Sequence, residues 1–218
     1  PQLPVDALVD FADEALAGLE HRRVDFDLIE AADSLRGDLE SRGWRAMRQL
    51  FLRHEGEPPP TGDTSVEEVP YDSVHALRVA WHREESPAEG DAGDADAFHA
   101  QAQAVAMRQG SRVLALMDAG TPIGYAQLEH RGEAAEISQV YVHPERRGAG
   151  LGTAITRAAI VAAGSVSDLW IGADDEDRAK DLYMRLGFRP AWMTMEFTLL
   201  PTPATGESAT AKAAGRDE

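Results

Sequence analysis

Between Gln139 and Thr153 the chain reads Gln-Val-Tyr-Val-His-Pro-Glu-Arg-Arg-Gly-Ala-Gly-Leu-Gly-Thr. Val140, Tyr141 and Val142 favour a strand, and Pro144 ends it because proline cannot donate to a ladder. Beyond the three glycines, Leu151, Ile155, Ala158, Ala159 and Ala162 recur at helical spacing. The N–H groups of Gly148, Ala149, Gly150, Leu151, Gly152 and Thr153 therefore emerge from a glycine loop at a helix start. That is an anion site made of main chain, with Arg146 and Arg147 beside it. Other phosphate loops do not match. A Walker loop needs a lysine before its hydroxyl residue, and this chain has lysine only at 180 and 212. A dinucleotide fingerprint would put its third glycine at 153, which is Thr. A kinase loop needs a lysine on the following strand. A plain strand-to-helix turn would not need three glycines.

Downstream, Leu182-Tyr183-Met184-Arg185-Leu186-Gly187-Phe188 forms a second signature, with one strand, Asp168 to Ala173, between the two. The Arg147-x-x-Gly150-x-Gly152 loop resembles the acyl-CoA pyrophosphate loop of the GNAT N-acetyltransferase superfamily. The second stretch is similar to the L-Y-x-x-x-G-F segment that closes that family's last helix. Either pattern alone is weak; the two in this order are specific, and the resemblance spans roughly Thr64 to Leu200.

The resemblance implies direct attack of a primary amine on acetyl-CoA, without an acyl-enzyme and without a metal. The amine must lose a proton, the thioester carbonyl must be polarised, and the departing thiolate must be stabilised. Glu136, at the start of the central strand, is the candidate base, since some relatives carry a glutamate there. The strand pattern puts it on one face with Ser138, Val140 and Val142. Glu133 or an ordered water could do the same work. The N–H of Val140 or Val142, flanking Tyr141, is the candidate carbonyl donor, because in the family this strand splays from the next. Tyr183 is the candidate for the thiolate. Many relatives carry Asn seven residues earlier to contact the cofactor. Here that position is Glu176, within Asp174-Asp175-Glu176-Asp177, and a carboxylate cannot donate as an amide does.

The 218 residues are 43% hydrophobic, enough for one or two domains with folded cores. Cysteine is absent, which excludes disulfides, thiolate metal sites and an acyl-cysteine intermediate. The seven histidines show no metal-ligand spacing, and His143 reads as a solvated turn residue. A net charge of −17 and a pI near 4.7 argue against nonspecific nucleic-acid binding and favour a small cationic amine as acceptor. The acidity also serves solubility. No apolar run is long enough for a membrane and no leader is recognisable, so a cytoplasmic location is expected; opening on Pro1 leaves the natural start open.

The elements positioning these residues follow from periodicity. Asp6–Leu19 reads as an amphipathic helix with Leu8, Phe11, Ala12, Ala15 and Leu19 on one face. Arg23–Asp27 is a strand, Ile29–Ser41 a helix stopped by Gly43, and Trp44–Arg53 a strand with Leu50 and Leu52 inward. Residues 56–63, with three prolines, form a linker. Thr64–Val69 is a strand, Tyr71–Glu84 a helix, Ser86–Ala95 an acidic mobile loop and Ala97–Arg108 a helix. Arg112–Met117, Ile123–Glu129 and Ala135–Val142 are strands, with a hairpin at Asp118–Thr121. After the glycine loop come helix Gly152–Ala163, strand Asp168–Ala173, helix Glu176–Leu186 and a strand through Phe197. Residues 201–218 read as a disordered tail.

The helix–strand–helix–strand order occurs twice. Ser41-Arg42-Gly43-Trp44 stands where Arg185-Leu186-Gly187-Phe188 stands, and Leu39 where Tyr183 stands. The expected organisation is a degenerate partial GNAT-like unit (1–55), a linker, a catalytic GNAT domain (64–200) and the tail. The expected fold is α/β (α+β): a mixed, mostly antiparallel sheet flanked by helices. Because residues 1–55 would stand in for a second subunit, either a pseudo-dimeric monomer or a homodimer fits. Two other readings stay open: a non-catalytic acyl-CoA-binding module, and acetylation of a protein N-terminus or lysine.

Overall fold

The computed structural model describes residues 4–19, 21–57, 59–60, 65–85 and 92–200. In chain order the elements are α1 (Val5–Ala15), β1 (Arg22–Phe26), α2 (Ile29–Glu40), β2 (Arg45–His54), β3 (Val66–Val69), α3 (His75–Glu85, entered through a 3-10 turn at Tyr71–Val74), α4 (Ala92–Gln109), β4 (Arg112–Asp118), β5 (Thr121–Arg131), β6 (Ala134–Val142), α5 (Leu151–Ala163), β7 (Asp168–Asp174), α6 (Ala179–Arg185) and β8 (Phe188–Leu199). Among the described residues all eight strands join one sheet in the order β1-β8-β2-β7-β6-β5-β4-β3. Only β6 and β7 among the described residues pair in parallel, with α5 as their crossover. The fold is the expected mixed, mostly antiparallel sheet flanked by helices.

β2 is an interior strand. It runs antiparallel to β7 on one side and to β8 on the other, with Leu50 opposite Ala173 and Met193. The α6 crossover thus leaves a one-strand gap between β7 and β8, and the N-terminal segment fills it. β1 then flanks β8 on the far side. β2, from residues 1–55, thus lies between β7 and β8, and β8 lies between β1 and β2. Gly43 and Gly187 both take positive φ (86° and 97°) after a helix, and the next residues, Trp44 and Phe188, are both buried.

Alternation sorts the two faces. Leu50, Leu52, Leu114, Leu128, Ile137 and Ile171 pack against α5 and α6. The core of α1 and α2 continues this layer over β1, β8 and β2 through Leu35, Leu39, Met195 and Phe197. On the opposite face α3 and α4 cover the β4–β6 region, around Tyr71, Leu77, Tyr125 and Tyr141. Further along that face Phe51 stacks on Trp192, which also meets Trp170, both at 4.8 Å between ring centres.

Several expectations need correction. The buried stripe of α1 is Val5, Leu8, Val9 and Ala12 at i, i+3, i+4, i+7; Phe11, one residue off it, is 68% exposed, and Leu19 lies beyond the helix and is exposed. Helix α4 begins at Ala92, so the end of the expected loop is helical, while 86–91 lie outside the described residues. Helix α6 begins three residues late, because Asp174 accepts the Glu176 N–H on its side chain and the Asp177 N–H on its carbonyl, holding the acidic run in a turn. Thr64, residues 58 and 61–63 of the linker and 201–218 also lie outside the described residues. Among the described residues no helix is long and apolar enough to cross a membrane.

Candidate active site

The glycine loop takes the shape its residues require. Gly148 and Gly150 have φ of 88° and 78°, where a side chain is strained, and Gly150 caps α5 in the left-handed conformation. At Gly152 the backbone passes close to α6: a Cβ there would stand 3.3 Å from Leu182 Cδ1, which would have to shift by a few tenths of an ångström. The first helical N–H groups, Leu151, Gly152 and Thr153, have no preceding turn to donate to, and residues 148–150 are exposed. A cavity of about 470 Å³ adjoins the loop, lined by Ala149, Leu151, Arg146 and Arg147. The arginines are engaged elsewhere. Arg147 forks onto Glu84 of α3 at 2.6 and 2.8 Å, and its Nε donates to the Val142 carbonyl at 3.0 Å. Arg146 pairs with Asp118 at 2.7 Å. The Arg147 guanidinium holds the Glu84 carboxyl below the usual range.

Next to the loop the sheet opens. β6 and β7 pair from Ala134↔Asp168 to Ile137↔Ile171, and then β7 continues with β2 alone. The separation begins at a bulge in β6: Gln127 faces Gln139 and Leu128 faces Ile137, so Ser138 is extra. The His143 N–H donates to the Ile123 carbonyl of β5 at 3.0 Å. By alternation Val142 and Val140 turn their N–H groups to the open side. The bulge also corrects the face assigned to Glu136. Val140 packs on the α5 side with Ile137, whereas Glu136, one residue off Ile137, lies on the α3/α4 side.

On that side a cavity of about 430 Å³ lies between α3, α4, β5 and β6. Its wall includes Arg78, His99, Gln127, Glu129, Ser138 and Gln139. Glu129 is 7% exposed and sits directly opposite Glu136 in the β5–β6 register. Gln127 Nε2 donates to its Oε1 at 2.9 Å, and Arg131 reaches Oε2 at 3.3 Å. Burial first, then the Glu129 charge, raises the Glu136 pKa; Arg131 opposes this. Glu133 is exposed at the β5–β6 turn.

Known proteins carry the same pattern. The model of the acetyltransferase (GNAT) family matches residues 74–188, just over half of the chain. The chain belongs to the GNAT acetyltransferase family. It is 34% identical over 80 residues to an uncharacterized N-acetyltransferase, MJ1207, of Methanocaldococcus jannaschii, covering 32% of this chain and 35% of that protein. It is 38% identical over 73 residues to mycothiol acetyltransferase of Nocardia farcinica, covering 33% of this chain and 24% of that one. The chain thus spans about a third or less of these relatives. A functionally unknown conserved protein from Staphylococcus epidermidis shares the fold at a TM-score of 0.70 and 14% identity, over 91% of this chain and 81% of that one.

In this GNAT chain Tyr183 is 7% exposed, set edge-on to Phe188 in the main core. Burial pushes its phenol up to about 12, helped by the Asp177 charge. Glu176 stands at the surface, with Oε1 3.3 Å from Arg36 of α2. Among the described residues no three His, Asp or Glu side chains are grouped to hold a metal ion. Sequence reasoning missed Arg78, Glu129, Gln127, Gln139 and His99. Only Glu129 left a signal: folding the hairpin about Arg131-Gly132 sets it against Glu136.

Proposed function

We propose that this GNAT chain catalyses acetyl-CoA-dependent N-acetylation of a primary amine, by direct attack in a ternary complex. One observation carries the reading: β6 parts from β7 on the way to the glycine loop, and it also walls a cavity lined by Glu129, which faces Glu136 across the β5–β6 pair. The free loop N–H groups suit a pyrophosphate, and the unpaired edge of β6 suits an extended amide-bearing arm. Acetyl-CoA supplies the activated thioester. The chain's own residues do the rest. Glu136, its carboxyl raised by burial and by Glu129, takes a proton from the incoming ammonium. A new C–N bond forms as the C–S bond breaks, giving amide, free thiol and one proton to solvent. The Val140 or Val142 N–H polarises the carbonyl. Tyr183 acts by hydrogen bonding. With its phenol near 12 and a thiol near ~8.5, complete proton transfer would be uphill by about 5 kcal/mol. The loop residues 148–153 contact the cofactor, whereas Glu176 and the Glu84-bound Arg147 do so only after rearrangement.

A cavity of about 430 Å³ suits a small molecule better than a protein tail. Residues 1–55 are read as a degenerate partial unit that supplies strands in place of a second subunit, without a cofactor loop. Thiol release from acetyl-CoA across a panel of amines tests the activity. Tyr183→Phe should lower kcat about tenfold and leave the acetyl-CoA Kd unchanged. If no amine releases thiol, the chain only binds its cofactor. Full turnover in Tyr183→Phe would return that residue to packing.

A further inference from the structure

The cavity wall holds a charge the fold does not neutralise. Arg78 is 5% exposed, and its guanidinium lies between the Tyr71 and Tyr125 rings, 3.9 and 4.6 Å from their centres. Nη1 donates to Gln139 Oε1 at 2.8 Å and Nη2 to Gln127 Oε1 at 2.7 Å. Both acceptors are neutral amides. Arg48, Arg112, Arg131, Arg146 and Arg147 each meet a carboxylate; Arg78, more buried, meets none among the described residues. Its Nε and the Nδ1 of His99, which also lines the cavity, are buried without hydrogen-bond partners among the described residues. An interior cation lacking a counter-ion is costly to keep, and a ligand anion at the cavity would supply the missing charge.

The opposite sign is present too. Gln127 takes Arg78 on its oxygen and gives its NH2 to Glu129, so one amide separates a guanidinium from a carboxylate on a single wall. Glu136 continues the acidic end across the β5–β6 pair. The flat donor fork of arginine matches the edge of a carboxylate or a phosphate. The stack between two tyrosines fixes the plane of that fork.

We infer that the acceptor is an amine that also carries an anionic group, a carboxylate or a phosphate, with the anion at Arg78 and the amine at the Glu129–Glu136 end. The overall charge of −17 would favour a simple cation or polyamine; the cavity selects a molecule bearing both signs. This rests on the acetyl-transfer reading but is tested apart from it.

The experiment uses matched acceptors with the full chain and acetyl-CoA: lysine against cadaverine, phenylalanine against phenethylamine, and phosphoethanolamine against ethanolamine. At least one anionic member should exceed its partner tenfold or more in kcat/KM, and which pair responds separates carboxylate from phosphate. In parallel, calorimetry with the N-acetylated form of each compound reads binding without turnover. Arg78→Met should remove the anionic preference, and Arg78→Lys should recover only part of it. If the wild type handles each pair equally, or prefers the amine without the anion, the inference is overturned while acetyl transfer stands. If no thiol is released yet anionic ligands bind tenfold tighter, the activity fails and the anion site stands. If neither thiol release nor anion-dependent binding is seen, both fall. Should the Arg78 variants not fold, the wild-type pairs still decide.

Discussion

The glycine loop follows β6 and the α3/α4 cavity is walled in part by the same strand, yet the two are built differently. The loop is local and made of main chain. The N–H groups proposed to take the cofactor come from six consecutive residues, and the loop's geometry favours glycine at 148 and 150 because φ is positive there. The cavity is made of side chains from α3, α4, β5 and β6. Gln127 and Gln139 converge on Arg78 only because β5 and β6 pair in one register, interrupted by one bulge. A backbone site writes itself into residue spacing, whereas a side-chain site is written into register, which spacing does not carry.

That difference accounts for what could be read in advance. Nearly every element was legible from periodicity: the strand Val113–Leu116 buries its whole apolar run, and helix Leu151–Ala163 buries Ile155 and Ala159 of its expected stripe while Leu151, Ala158 and Ala162 are half-buried. The bulge at Ser138 was not, and it reverses the face of Val140 relative to Glu136. Arg78 reads in sequence as one more polar residue on a helix; its burial depends on Tyr71 and Tyr125, 7 and 47 residues away. The slot of β2 was also hidden. Its apolar alternation announced a strand, but not that β7 and β8 would leave a gap for it.

The largest expected effect concerns what the two sites share. Expressing residues 64–218 alone removes β2 from between β7 and β8, exposing backbone on both and uncovering the core where Leu50 and Leu52 were buried. Such a loss is of the order of a typical domain stability of about 5–15 kcal/mol, so no cooperative unfolding transition should appear. A truncated chain that melts cooperatively and still binds acetyl-CoA would show that the loop stands without the N-terminal strands.

Smaller, and confined to the loop, is Gly150→Asp. The substitution strains a left-handed residue and puts a carboxylate at the helix N-terminus where a phosphate would sit. Calorimetric affinity for acetyl-CoA should fall by at least about a hundredfold, a little under 3 kcal/mol, with the fold retained, since a Cβ there meets nothing within 4 Å. Unchanged affinity would move the pyrophosphate off the loop and leave the two regions without the contrast drawn above.

The smallest effect separates the regions by sign. A change in the loop can only lose binding, but Glu136 in the side-chain region holds a charge against burial and against Glu129. Its folded pKa is raised above the unfolded value of ~4.3. Stability from this group is therefore fully present below the unfolded pKa and is lost as pH rises through the folded one. Glu136→Gln does not titrate. At pH 7 its melting temperature should lie above wild type, and the gap should close as pH falls below about 4. Turnover should move the other way, falling about a hundredfold, as expected for loss of a general base. Wild-type kcat/KM should rise with pH through the raised pKa while wild-type stability declines over the same range. Equal melting temperatures at pH 7, with turnover unimpaired, would make Glu136 an ordinary surface carboxylate and pass the base to Glu129.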